Sequence, residues 1–84
     1  MNFESYDEFR ESLSRGNEIQ FLFDKELYYI HPHWNVHTLD GYVIGKCYGD
    51  SFVVVSADSL DDYLIQGVKF VDAFSLIEIV DRVF

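Results

Sequence analysis

Ile19, Phe21 and Phe23 alternate with Gln20 and Leu22, the two-residue period of a strand with one buried face. A chain with that pattern must build a sheet and cover one side of it. Asp24-Lys25-Glu26 then reads as a tight turn, although without the glycine of the strongest turn signals. The chain returns through Leu27 to His31. Pro32 is expected to end regular pairing, because proline cannot donate to a ladder, and His33 to Asp40 is expected to be a loop. Gly41 to Tyr48 and Ser51 to Ser56 form a second hairpin about Gly49-Asp50, with Val53, Val54 and Val55 supplying β propensity.

A helix from about Tyr6 to Arg15 precedes the strands. Ser5 followed by Glu8 matches the capping box, in which each side chain satisfies a free backbone N–H of the other. Tyr6, Phe9 and Leu13 share one side of a 3.6-residue wheel, with Phe3 at its edge. Glu4, Asp7, Glu8 and Glu11 share the other. Gly16 is placed to stop the helix in a left-handed conformation. After the strands, Asp58 is expected to cap a short helical turn through Leu60 and Tyr63, and Gly67 punctuates the chain. A second helix is expected from about Val71 to Ile77, turning Phe70, Phe74 and Ile77 to the core. Glu78 to Phe84 fits either a continuation of that helix or a last strand.

The sum is a small α+β fold. An antiparallel sheet of about four strands would carry the N-terminal helix and the C-terminal helical segment on one face, since each element has one apolar side to bury. Residues 1–84 read as a single compact domain. The eight acids and three bases of residues 1–42 and the seven and three of residues 43–84 leave no charged tail, and no Pro/Gly/Ser linker or repeat interrupts the chain.

Composition then narrows the function classes. With 49% hydrophobic and 18% aromatic residues, the chain is too apolar for a disordered acidic segment. Its formal charge of −9 argues against direct nucleic-acid binding, which requires Lys and Arg to neutralise phosphates. The acidic start from Met1 to Arg10 does not read as a signal peptide, and no apolar run approaches the roughly 20 residues of a membrane helix. Cys47 is the single cysteine, so no internal disulfide is expected. A cytoplasmic protein without a cofactor is the simplest reading.

Three residue groups invite a chemical reading. His31, His33 and His37, with Asp40 close behind, have the ligand types of a Zn²⁺ site; histidines are equally ordinary rim residues, and Pro32 interrupts the first pair. Cys47 near these histidines suggests a nucleophile, against the usual role of a strand cysteine as a small buried hydrophobe. Paired carboxylates such as Asp61-Asp62 and Asp7-Glu8 are ordinary surface charge unless a cleft splits their pKa values. No P-loop, G-x-G-x-x-G, H-E-x-x-H or C-x-x-C occurs, and an enzyme is not expected.

The stripe of Glu4, Asp7, Glu8 and Glu11 is a stronger lead. Each like-charge pair one turn apart destabilises the helix by about 0.2–0.5 kcal/mol, partly offset by the positive end of the helix dipole. Carboxylates a turn apart resemble a row of phosphates. Asp50, Asp58, Asp61 and Asp62 suggest a second acidic patch. Against this, acidity by itself confers solubility. Trp34, Tyr42, Tyr48 and Tyr63, in or near expected loops, are candidate interface anchors, since Tyr and Trp are enriched where proteins meet.

Ser5-Tyr6-Asp7-Glu8-Phe9, Gly16-Asn17-Glu18-Ile19-Gln20-Phe21-Leu22-Phe23, Glu26-Leu27-Tyr28-Tyr29-Ile30 and Ile65-Gln66-Gly67-Val68-Lys69-Phe70-Val71-Asp72-Ala73-Phe74 together carry a resemblance. The layout resembles a group of small, largely uncharacterised proteins of Gram-positive bacteria and their mobile elements, with an S-x-E-E-F helix, G-x-E-I-x-F-x-Y, a K-x-Y-x-I strand and an I-x-G-K-x-L-x-D-I-W segment. Glu26 and Val68 stand where that pattern has Lys, Phe74 stands for its Trp, and the His-rich segment is outside it. The matching positions are mostly core spacing, so the resemblance implies a fold more than an activity. Proteins of this size from such elements are often antagonists, including immunity proteins and anti-CRISPR inhibitors.

The leading expectation is therefore a non-enzymatic, protein-binding inhibitor. Glu4, Asp7, Glu8, Glu11, Asp58, Asp61 and Asp62, with Trp34 as an anchor, would dock on the basic groove of a nucleic-acid enzyme. The alternatives are an accessory domain that forms homodimers through a sheet edge at Val53 to Val55, and a metal-binding domain centred on His31, His33 and His37.

Overall fold

A computed structural model of the chain, describing residues 3–49 and 51–83, forms the first hairpin where the alternation places it. Strand β1 (Glu18–Phe23) buries Ile19, Phe21 and Phe23. It pairs antiparallel with β2 (Glu26–Asn35), Ile19 lying opposite Ile30 and Phe23 opposite Glu26. Asp24 and Lys25 both take positive φ, 48° and 66°, giving a turn whose twist matches the strands it joins.

Pro32 does not end the pairing. β2 continues to Asn35 and pairs with β3 (Thr38–Lys46), Pro32 lying opposite Tyr42. The expectation fails because β1 stops alongside Ile30. Past that point β2 has a neighbour on one side only, and a proline at a sheet edge leaves no ladder donor missing. The expected loop from His33 to Asp40 is instead the tip of this long hairpin, turning through Val36 and His37. Val36 has φ 58°, an unfavourable conformation for a β-branched residue, which is why no turn signal marks the place. β4 (Phe52–Ser56) pairs antiparallel with β3.

Helix α1 (Tyr6–Ser14) has the expected ends. The Glu8 backbone N–H donates to the Ser5 hydroxyl at 3.1 Å, and Gly16 follows at φ 96°. The C-terminal third departs further from expectation. A 3₁₀ turn at Ala57–Ser59 leads to a small hairpin of β5 (Leu64–Ile65) and β6 (Val68–Lys69). In place of a helix from Val71 to Ile77, α2 spans only Phe70–Ala73 and tightens into a 3₁₀ turn at Phe74–Leu76. The open alternative at the end resolves as strand β7 (Glu78–Val83), which pairs antiparallel with β1. The main sheet therefore has five strands, in the order β4-β3-β2-β1-β7.

The described helices and 3₁₀ turns pack on one face of this sheet. Phe9 and Leu13 of α1, Leu60, Ile65, and Phe70 and Ala73 of α2 form a single cluster with Ile19, Phe21, Phe23, Ile30, Tyr42 and Ile44. Its centre is aromatic. The Phe9 ring lies 5.5 Å from Phe3, 5.7 Å from Phe70 and 5.5 Å from Phe74, and Phe21 meets Phe70 edge-on at 5.8 Å. Such tilted and edge-to-face pairs add about 0.5–1.5 kcal/mol each beyond burial. Strand alternation leaves Leu22, Leu27, Tyr29, His31, Val43 and Val54 on the opposite face. No described helix is long and apolar enough to cross a membrane.

Candidate functional site

The acids of α1 stand clear of the core because Tyr6, Phe9 and Leu13 orient the helix. Glu4, Asp7, Glu8 and Glu11 are all exposed. Glu11 pairs with Arg15 one turn on. The remaining base of the helix, Arg10, reaches the segment that follows β4. Its guanidinium lies 3.5 Å from a carboxylate oxygen of Asp61 and 3.5 Å from the Ala57 carbonyl.

Asp61 also accepts a 2.7 Å hydrogen bond from the Tyr6 hydroxyl. The second acidic segment is thereby fastened against the first, although 55 residues separate Tyr6 from Asp61. Sequence reasoning paired these patches only by composition. The available signal was Tyr6 itself, because a tyrosine on the buried side of a helix needs a partner for its hydroxyl. Asp58 is exposed, and Asp62 forms a 3.5 Å ion pair with Lys69. Asp50 lies outside the described residues.

A shallow groove of about 360 Å³ runs beside this acidic ridge, lined by Asp7, Arg10, Glu11, Ser14, Leu39 and Tyr42. Trp34, 44% exposed, is the cross-strand partner of Leu39, so the β2–β3 tip brings an aromatic residue to the acidic side. Of the other aromatic candidates, Tyr42 is corrected: its alternation places it inward, and it is 2% exposed. Tyr63 is half-buried, and Tyr48 is fully exposed in the β3–β4 turn.

Tyr6 gives this junction a pH signature. Burial, then the hydrogen bond to Asp61 and that carboxylate's charge, raise its pKa above the ordinary value. The fold therefore keeps the phenol protonated while the unfolded chain ionises above about pH 10. The contribution of Tyr6 to stability is full below that pH and is lost as pH climbs through the raised value. Burial raises Tyr63 in the same direction. Thermal melts across the alkaline range should show stability falling above about pH 10. Tyr6→Phe should make that fall shallower, at a cost of about 1 kcal/mol at neutral pH for the lost hydrogen bond.

The histidines divide among three settings. His31 stacks on Tyr29 with ring centroids 6.0 Å apart, and its Nδ1 lies 3.1 Å from the Pro32 carbonyl. His33 Nδ1 lies 3.4 Å from a carboxylate oxygen of Asp40, and His37 is in the exposed turn. Among the described residues, no three His, Cys, Asp or Glu side chains gather to hold a metal ion. Cys47 lies across from Leu27, four residues along β2 from His31, or roughly 13 Å at about 3.3 Å per residue. Burial and the nearby Glu18 charge raise its thiol pKa, the reverse of what activates a nucleophile.

No protein-family model, curated protein or solved structure matches the chain.

Proposed function

We propose that this protein is a non-enzymatic, protein-binding inhibitor whose acidic ridge docks on the basic groove of a nucleic-acid enzyme, in the manner of an anti-CRISPR or toxin-immunity protein. The observation that carries this reading is the Tyr6–Asp61 hydrogen bond. With Arg10 it joins the α1 acids and the Asp58–Asp62 segment into one surface, on which Arg10 is engaged by Asp61 while Arg15 and Lys69 pair with Glu11 and Asp62. The exposed carboxylates of Glu4, Asp7, Glu8 and Glu11 provide charge complementarity, which raises association rate and specificity. Trp34 beside the groove provides the apolar anchor that charge alone lacks.

The test is affinity capture from the native host at low and high salt, with the bound proteins identified by mass spectrometry. A basic nucleic-acid-binding protein retained at low salt and released at high salt is the expected result. The double variant Asp7→Lys with Glu11→Lys should bind that protein more weakly and with a flatter salt dependence. Capture by the double variant as strong as by the parent would show that α1 is not the docking face.

A further inference from the structure

The two edges of the main sheet are built differently. β7 reads Glu78-Ile79-Val80-Asp81-Arg82-Val83, and its pairing with β1 is broken by a register shift at Gln20/Phe21. Charge and irregularity of this kind are how natural proteins blunt an edge against further pairing. β4 has neither. It reads Phe52-Val53-Val54-Val55-Ser56, without a charge, and pairs with β3 in unbroken register. Phe52, Val53 and Val54 are 59%, 44% and 52% exposed.

We propose that β4 is the contact between two copies of this chain, paired antiparallel about a two-fold axis at Val54. Three observations select a second copy. The valine run is symmetric about Val54, so a two-fold places Val54 opposite Val54 of the other copy and Val53 opposite its Val55. Every pair across the centre is then valine with valine, a favourable cross-strand combination on a pleated surface. The chain carries −9, so two copies repel wherever acids face each other, and β4 offers them a stretch without charge. Its cross-strand neighbours on the open face, Gly45 beside Phe52 and Val43 beside Val54, carry no charge either. The blunted β7 edge stops further addition, so the assembly closes at two instead of growing into a filament. A five-residue contact belongs to the small, weak class of interface, and the dimer forms at high protein concentration.

Charge gives this dimer a direction of salt dependence opposite to that of docking on a basic partner. Added salt screens the repulsion of two acidic copies and tightens the dimer, whereas it loosens an acidic–basic complex. The two readings therefore fail separately.

Sedimentation of the full chain over a concentration series, at low and high salt, is the test. A monomer–dimer equilibrium that shifts toward dimer with salt is expected. Val54→Lys sets like charges directly opposite each other and should raise the dissociation constant at least about tenfold, with an unchanged far-UV spectrum showing that the exposed site tolerates it. The register is read by Val54→Cys in a Cys47→Ser background, which should form a disulfide-linked dimer under mild oxidation. Phe52→Cys, facing Ser56 of the other copy, should link far less. A chain that stays monomeric at every concentration, a Val54→Lys variant that dimerises like the parent, or larger species that grow with concentration would each overturn the proposal. So would a monomer that pairs β4 with a strand of a different protein.

Discussion

Phe9→Ala should lower the stability of this protein by about 3–5 kcal/mol, the usual range for emptying a buried phenylalanine site. Phe9 has no exposed surface, and its ring touches the rings of Phe3, Tyr6, Phe70 and Phe74. Those neighbours come from the N-terminal segment, α1, α2 and the following turn. The cavity therefore opens where separate elements meet, and α1 loses its hold on α2. For a domain of this size each 1 kcal/mol moves Tm by roughly 4–8 °C. A fall in Tm of about 15 °C or more is expected in a thermal melt followed by circular dichroism. Phe9→Leu keeps most of the apolar volume and should recover a large part of the loss. A Phe9→Ala protein melting within a few degrees of the parent would mean that the aromatic cluster does not hold the helices together.

Gly41→Ala should be comparably damaging for a different reason. A Cβ built at Gly41 would lie 2.3 Å from the Val55 backbone carbonyl oxygen and 3.3 Å from the Ser56 Cα. These are backbone atoms of the paired strand and cannot rotate away, so β4 must shift from β3. Overpacking in a well-packed region costs about 1–3 kcal/mol and occasionally more. The expected loss is about 3 kcal/mol, with amide exchange speeding up first along β4. Gly45 provides the comparison: its added Cβ would meet the Tyr29 side chain, the hydroxyl oxygen at 2.7 Å. The end of a side chain can swing outward on the open face, so Gly45→Ala should cost less than Gly41→Ala. The reverse order, measured by urea denaturation, would show that β4 yields more easily than the Tyr29 ring.

Different parts of this fold were legible to different degrees, and for physical reasons. The alternation through Ile19, Phe21 and Phe23 requires a sheet with one buried face, and the structure has it. Ser5 and Gly16 mark the ends of α1 because capping and left-handed termination are local chemistry. Pro32 misled because the consequence of a missing donor depends on where the neighbouring strand stops. Phe70, Phe74 and Ile77 have helical spacing, yet the same spacing serves a short helix, a 3₁₀ turn and the lead into a strand. The α1 acids were visible on a helical wheel. The role of Asp61 was not, since its partners Tyr6 and Arg10 come from the other end of the chain.

Strand β7 also has a consequence for how the molecule reaches and leaves its native state. The first four strands follow one another in a meander, each joined to the next by a short connection. β7 instead returns to lie beside β1, with Glu78 opposite Leu22, a separation of 56 residues (78 − 22). Closing a loop of that length costs about 3–4 kcal/mol in chain entropy, against very little for a hairpin turn. The meander is thus expected to assemble early and β7 to dock late; conservative substitutions in β7 should then speed unfolding more than they slow folding, as read by stopped-flow kinetics. The same arithmetic applies in reverse. Releasing β7 restores that chain freedom and bares the hydrogen-bonding edge of β1. On that side the molecule is protected from edge pairing only while β7 stays bound, so local opening of β7 matters there as well as global unfolding.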